Sequence, residues 1–174
     1  MKEEQQVKKP TPLEGLIITV VIVVASVICI LLGSKLFNVT SFFASFLFLW
    51  YWAAIEEANF DRWLPTFIGA FTGLLLALQL KYLPMELGTT GMIVSILILV
   101  FAVYIHIMDW VPIALNKAAM LFLTVFAAPS ILEIIDPIEV ATAIALGALF
   151  FGSLIKLVQL VTPTKEPEKV LEKL

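Results

Sequence analysis

The longest uncharged apolar run lies near the start of the chain and reads LIITVVIVVASVICILL over residues 16–32. It shows no period-two alternation, which favours a helix over a membrane-barrel strand. With its flanking residues it covers 15–34, about the twenty residues that one membrane crossing needs. The whole chain is 61% hydrophobic and only 14% charged, whereas about a quarter of the residues of soluble domains are charged. The sequence therefore predicts an integral membrane protein.

Five further apolar runs follow the first, and residues with turn chemistry such as Asn38, Pro65, Gly88 and Asp136 separate them. We predict an all-α integral membrane protein with six transmembrane helices. They cover residues 15–34, 40–57, 64–82, 88–108, 112–132 and 138–160. Together they form a single domain over 15–160, between short cytoplasmic tails over 1–14 and 161–174. No small-residue cleavage site follows the first run, so we expect an uncleaved span rather than a signal peptide.

The basic residues predict the orientation of the chain in the membrane. With six spans and an inner N-terminus, only Lys35 and Lys81 of the 11 lysines and arginines fall outside. Such a bias satisfies the positive-inside rule. We therefore expect a multi-pass protein of the inner (cytoplasmic) membrane with both termini in the cytoplasm.

Two segments of the chain resemble each other. LFLWYWAA at 47–54 is followed by LFLTVFAA at 121–128. Gly69 and Ala70 then match Gly147 and Ala148, and LQL at 78–80 matches VQL at 158–160, if the second copy has a few extra residues. A repeated unit of three helices, an odd number, must be inverted in the membrane, as in many channels and transporters. The alternative is that few residue types occur in membrane helices, so short matches arise from composition alone.

Small residues recur at four-residue spacing in four of the predicted helices. In lipid such stripes let helix backbones approach closely, so they predict packing seams; a glycine-lined pore wall is the alternative. A bundle this small seldom encloses a wide path alone, and we expect a homo-oligomer that uses these seams. The stripes are Ala25, Cys29 and Gly33; Gly69, Gly73 and Ala77; Ala114 and Ala118; and Ala148 and Gly152.

The order of these motifs resembles the YcdZ-like family of small bacterial inner-membrane proteins of unknown function. The similarity covers about residues 15–160 and includes SFFASFLFLWYWAA, FIGAFTGLLLALQL, VPIALNKAAMLFLTVFAA and IALGALFFGSLIKL. In that family glycines follow both aromatic-alanine segments, whereas this chain has Ile55 and Glu56 in the first half and Pro129 and Ser130 in the second. The resemblance implies a multi-span inner-membrane protein and no catalytic residue.

Counting about 1.5 Å per residue along each helix places the ionisable residues at the two membrane boundaries. We call these two predicted sets the inner mouth and the outer mouth. An interfacial role is the alternative for every one of them, because polar residues at span ends commonly mark the interface. The inner mouth comprises Glu56, Glu57, Asp61, Arg62, His106, Asp109, Asn116 and Lys117. The outer mouth comprises Glu133, Asp136 and Glu139, with Glu86 opposite them.

The predicted midplane holds the hydroxyl residues Ser26, Ser45, Thr72, Ser95 and Thr124 but no ionisable side chain, and a proton-coupled pump usually needs one there. We therefore predict a passive channel or facilitator for a small neutral or cationic solute. The alternative is a non-transporting assembly, regulatory or scaffold subunit.

Other functions have little support in the sequence. The chain has one cysteine, one histidine and no nucleotide-binding or H-E-x-x-H motif, so we expect no enzyme, cofactor or metal site. Its net charge of −3 gives no basis for nucleic-acid binding. The expected partners are the lipid bilayer, further copies of the chain and a small solute or cation.

Overall fold

The computed structural model describes residues 11–161, and every regular element in that range is an α-helix. The all-α prediction is therefore confirmed for this part of the chain. Most of both predicted tails, with six of the basic residues used for the orientation, lies outside the described residues. The helices are α1 (Pro12–Phe37), α2 (Phe43–Ala54), α3 (Phe60–Ile107), α4 (Lys117–Phe126), α5 (Pro129–Leu132) and α6 (Pro137–Val161).

Three of the described helices are long and apolar enough to cross a membrane, over Gly15–Phe37, Phe60–Ile107 and Pro137–Leu157. These segments indicate a membrane protein. The chain divides into two compact units with the boundary after Asn38. The first unit contains α1, whose apolar part has a mean hydropathy of 3.2. Pro12 begins α1 and Lys35 lies in its last turn, as helix-end preferences favour.

The 48-residue helix α3 is bent back on itself at Gly88. In a straight helix Gln79 and Ser95 would lie about 24 Å apart. Here the Ser95 hydroxyl donates to the Gln79 carbonyl at 3.2 Å, so the chain has reversed direction between them. Gly88 makes the reversal with φ 56° and ψ −133°, a conformation that favours glycine. We call residues 60–87 the first arm and 89–107 the second arm. The first arm extends beyond predicted helix three (64–82) at both ends, and the second arm matches predicted helix four (88–108) to within one residue at each end.

Helices α2 and α4 are shorter than predicted. Their 12 and 10 residues correspond to about 18 Å and 15 Å, against a hydrocarbon core of about 30 Å. Helices over the full predicted ranges 40–57 and 112–132 are not formed, and six membrane-spanning helices are not confirmed. Asn116 delays the start of α4, because its side-chain oxygen accepts from the Ala119 amide as an N-cap. Ala128 is extended before Pro129 and separates the single turn α5 from α4.

Helix α2 runs parallel to α6 in the second unit. The start of α2 meets the start of α6, where Thr40 donates to Glu139. Further along both helices, the Ser45 hydroxyl donates to the Ala143 carbonyl. A side chain at Gly147 would meet the Ser45 backbone at 2.7 Å, so glycine is what allows this approach.

The first arm runs parallel to α4 in a corresponding arrangement. The Asn116 side chain donates to the Pro65 carbonyl at 2.8 Å. Gly73 then packs on α4, where a Cβ would lie 2.7 Å from the Cβ of Phe122. Each short helix is thus paired, in parallel, with a long helical segment from the other half of the sequence.

The first arm and α6 run antiparallel to each other. The indole of Trp63, near the start of the first arm, donates to the Ala148 carbonyl at 3.2 Å. Lys156, farther along α6, lies over the ring of Phe60, which is earlier in the chain than Trp63. Since α2 is parallel to α6 and α4 to the first arm, α2 and α4 also run in opposite directions.

The buried positions of these four segments coincide after a shift of 74 residues. The shift places Phe43, the first residue of α2, on Lys117, the first residue of α4. Four buried residues of α2 then fall on the four buried residues of α4: Ala44, Ser45, Phe48 and Trp52 on Ala118, Ala119, Phe122 and Phe126. Six of the first arm fall on buried residues of α6: Thr66, Gly69, Ala70, Gly73, Leu74 and Ala77 on Val140, Ala143, Ile144, Gly147, Ala148 and Phe151.

Four aromatic side chains occupy the centre of the second unit. We call Phe48, Trp52, Phe122 and Phe126 the aromatic block; all four are fully buried. The rings of Phe122 and Phe126 make an edge contact at 5.5 Å between centroids. Phe43 makes a similar contact with Phe126 across the two short helices, at 5.7 Å. Small residues on the first arm and α6 leave the space that these rings fill.

Replacing Gly73 or Gly147 by alanine should destabilise the second unit to a similar extent. Each added methyl group meets backbone atoms of the facing short helix, and overpacking of this kind costs about 1–3 kcal/mol. Thermal unfolding of the detergent-solubilised protein measures the loss. Gly15→Ala is the control, because a Cβ there meets nothing within 4 Å. Wild-type unfolding temperatures for both variants would contradict the packing described above.

Candidate functional site

The contacts place the two predicted mouths at opposite ends of the second unit. At one end, α2 finishes, the first arm begins and Asn116 precedes α4. At the other end, α6 begins and Lys81 of the first arm donates to the Glu133 carbonyl at 3.1 Å. Each end can therefore be considered as a candidate site.

Glu56 is at the centre of one polar group in the inner mouth. Its carboxylate accepts from the Tyr51 hydroxyl at 3.0 Å and lies 3.9 Å from the Arg62 guanidinium. Beside it, the Trp52 indole donates to the Asn59 carbonyl at 2.8 Å. These bonds join the last turn of α2 to the first turn of α3 across the turn at 55–59. Glu56 therefore holds a helix connection as well as carrying charge.

Asn116 and His106 bond mainly to backbone groups. The Asn116 amide donates to Pro65 and its oxygen caps α4. His106 Nδ1 lies 2.8 Å from the Leu115 carbonyl, which makes the protonated Nδ1 tautomer the donor. No hydrogen bond to a carboxylate, that of Asp109 included, is found for His106 among the described residues. An acid–base pair is not assembled here.

The remaining members of the inner mouth are exposed at helix ends. Glu57 and Asp109 have positive φ angles of 53°, a conformation that marks turns. Asp61 lies in the first turn of α3, and Lys117 begins α4. The Asp61 amide donates to the Asn59 side chain at 2.9 Å, but no side-chain hydrogen bond or ion pair of Glu57, Asp61, Asp109 or Lys117 reaches Glu56 within residues 11–161. The carboxylates of the inner mouth are thus not gathered around one point.

Glu139 ties two helices together in the outer mouth. One carboxylate oxygen accepts from the Thr40 amide and hydroxyl, both at 2.6 Å, and from the Ser41 amide at 2.8 Å. Asp136 caps α6 by accepting from the amides of Ile138 and Glu139. Glu133 is exposed and takes part through its carbonyl, to which Lys81 donates. Two of the three carboxylates of the outer mouth, those of Asp136 and Glu139, are thus bound to backbone amides.

The hydroxyl groups predicted at the midplane all bond to main-chain carbonyls. Four of them donate to a carbonyl of the same helix, which for Ser95 is in the other arm of α3. Ser45 of α2 donates to Ala143 of α6. Each of these hydroxyls therefore has its one hydrogen in use, and only its oxygen could still accept a hydrogen bond. The donors and acceptors are Ser26 with Ile22, Thr72 with Ile68, Ser95 with Gln79, and Thr124 with Met120.

Several contacts at these sites were not predicted from the sequence. The Glu139 bonds to Thr40 and Ser41 join residues about a hundred positions apart, and no local pattern indicates them. Tyr51 is five residues before Glu56, and that spacing across a helix end was a usable signal. In the sequence Gln79 stands out only as part of a repeat, yet its side-chain amide donates to the Ser95 carbonyl at 3.4 Å.

Other possible sites receive little support. No group of three His, Cys, Asp or Glu side chains among the described residues could hold a metal ion. Comparison with models of protein families, with curated proteins and with solved structures finds no match for this chain. The resemblance to the YcdZ-like family therefore has no support from these comparisons.

Glu139→Ala should lower the stability of the second unit by about 1 kcal/mol or more, because the Thr40 and Ser41 amides lose a charged acceptor. Thermal unfolding in detergent measures this loss. Glu86→Ala is a matched control, since Glu86 is exposed and its side chain forms no hydrogen bond or ion pair within residues 11–161. Equal unfolding temperatures for the two variants would show that the Glu139 bonds contribute nothing.

Proposed function

We propose that this chain is an inner-membrane protein of two inverted three-helix units that acts as a passive facilitator for a small neutral solute. The observation that carries the proposal is the coincidence of buried positions at a single shift of 74 residues. Inverted units of this kind are a common plan of channels and secondary transporters. Composition alone accounts for shared residue types but not for a shared register in two successive helices.

The packing directions support an inverted relation between the two proposed three-helix units. α2 pairs with α6, and its counterpart α4 pairs with the first arm, which is the counterpart of α6. In both packed pairs the two helices run parallel. The equivalent helices α2 and α4 run in opposite directions, and so do the first arm and α6. A two-fold axis in the membrane plane would produce this pattern.

The burial register also changes the residue pairing that the sequence suggested. It pairs Gly147 with Gly73. Each of these glycines packs against the short helix of the other proposed three-helix unit, Gly73 on α4 and Gly147 on α2. The pairing of Gly69 with Gly147, which needed extra residues in the second copy, is wrong in this register. The match between 78–80 and 158–160 includes side chains outside those described.

A neutral solute agrees better with the two mouths than a cation does. Glu139 and Asp136 are bound to backbone amides, and Glu56 is paired with Arg62. Held as helix ties, these three carboxylates are not free to coordinate a passing cation, and the exposed carboxylates of Glu57, Asp61, Asp109 and Glu133 are not gathered around one point. In this arrangement the aromatic block closes the centre, as a hydrophobic constriction closes a channel.

A non-transporting role is the second candidate, and the packed centre favours it. The aromatic block is fully buried and the midplane hydroxyls bond to carbonyls. An assembly or scaffold subunit would need no path. Three of the four predicted seams also have buried members within the second unit, such as Gly73 and Ala118, so the expected homo-oligomer would have to use other surfaces.

Flux through liposomes distinguishes the two candidates. Purified protein is reconstituted, and swelling assays measure entry of small neutral solutes such as glycerol and urea. Phe122→Ala and its counterpart Phe48→Ala should each raise the flux several-fold over the wild type, because each removes one ring from the aromatic block. Phe101→Ala is the control, since Phe101 is 59% exposed on the second arm.

No flux above empty liposomes in the wild type and in both opened variants, with incorporation verified, would refute the facilitator and leave the non-transporting role. Flux that rises equally in the Phe101→Ala variant would refute the aromatic block as the constriction.

The orientation of the chain is tested by cysteine labelling. In a Cys29→Ser background, Glu86→Cys should react with a membrane-impermeant maleimide added to intact spheroplasts. Asp61→Cys should react only after the membrane is permeabilised, because Asp61 lies at the predicted inner end. The reverse result would show that the termini are not cytoplasmic.

A further inference from the structure

A shallow groove of about 220 Å³ lies between the start of the first arm and the later turns of α6. Its walls are mainly apolar, and one cationic side chain lies at one end. Phe60 makes an edge contact with Trp52 of the aromatic block at 5.1 Å between ring centroids, and the groove itself is lined by no member of the block. Its lining includes Phe60, Trp63, Leu149, Gly152, Ser153 and Lys156.

Gly152 and Trp63 shape the floor of this groove. A Cβ at position 152 would lie 2.8 Å from the Trp63 indole nitrogen, so any residue larger than glycine would clash with the ring in this position. The ring is held by its hydrogen bond to Ala148 and by stacking on Phe67 at 5.4 Å. Leu149 is 60% exposed along one side. The floor is therefore firmly built, and the apolar side is open to the membrane.

Lys156 supplies the charge at the end of the groove. Its Nζ lies 6.0 Å from the centre of the Phe60 ring, and the side chain is exposed. No carboxylate lies within ion-pair distance of it among the described residues. Arg62, the neighbouring cation, is already paired with Glu56. Lys156 is therefore available to an external anion.

The depths of these residues correspond to the parts of a phospholipid. Lys156 follows Pro137, the first residue of α6, by about 28 Å of helix, close to the thickness of the hydrocarbon core. It therefore lies at the level of lipid phosphates on that side of the membrane. Gly152 and Leu149 lie about 6 to 10 Å deeper, at the level of the acyl chains. Trp63 and Phe60 lie near the interface, where aromatic rings are favoured.

We infer that this groove binds an anionic phospholipid, with the phosphate on Lys156 and an acyl chain along Leu149 and Gly152. The charge complementarity and the apolar lining select this occupant together. A soluble anion would not use the apolar walls, and a zwitterionic lipid would gain less from the lysine. In the proposed orientation the lipid belongs to the cytoplasmic leaflet, and the inference is independent of solute flux.

Native mass spectrometry of the full chain in detergent tests this inference. The protein is mixed with equimolar phosphatidylglycerol and phosphatidylcholine of the same acyl composition. The wild type should retain phosphatidylglycerol with about fivefold preference, the ratio that one lysine near an anionic lipid contributes. Lys156→Gln should reduce this preference to nearly one. Lys35→Gln is the control, an exposed lysine outside the groove and outside both mouths, and should keep it.

A second variant tests the groove rather than the charge. Ser153→Phe keeps Lys156 and fills the groove from an exposed position, so it should release the bound lipid without disturbing the core. An unchanged preference in Lys156→Gln or in Ser153→Phe would overturn the inference. So would an equal loss in Lys35→Gln. A dimer mass that disappears in Ser153→Phe would also overturn it, because it would assign the groove to a second copy of the chain.

Discussion

Backbone polar groups have no water to bond inside a bilayer, and each break in a membrane helix must be satisfied from within the protein. The breaks in this chain are tied by side chains. Glu139 binds the amides before α2, Asn116 binds a carbonyl of the first arm and caps α4, and Trp52 binds a carbonyl in the turn before α3. These ties also set the heights at which the helices pack, so the rest of the second unit depends on them.

The two short helices follow from the same constraint. Neither α2 nor α4 is long enough to cross the hydrocarbon core, and each lies against a long segment at a glycine, Gly147 or Gly73. Close approach at these glycines brings aromatic rings together in the centre. A protein built in this way is closed in the described arrangement, and transport would require the rings to move apart. The proposed function therefore depends on the mobility of a packed centre, whereas the lipid groove depends only on the outer surface.

Much of the helical framework could be predicted from the sequence, because it depends on local properties. Apolar runs located α1, both arms of α3 and α6, and Gly88 located the reversal between the arms. The predicted lengths of α2 and α4 were wrong. In α4, the cap at Asn116 and the extended Ala128 set the ends of the helix against the hydropathy of the flanking residues. For the candidate sites, the sequence predicted which residues lie at each end of the second unit, but not the groups to which they are bonded. Glu139, for example, reads as a free surface charge until Thr40 is placed beside it.

The sequence by itself determined that this is an all-α, membrane-type chain with its charges at the helix ends, since apolar runs and turn residues act over short distances. The tertiary structure decided which segments pair, the 74-residue register of their buried faces, and the partners of the charged groups. It also placed Lys156 beside an apolar groove made by Trp63 and Gly152. These features arise from contacts between residues far apart in the chain, where side-chain shape and hydrogen bonding decide and local pattern carries no information.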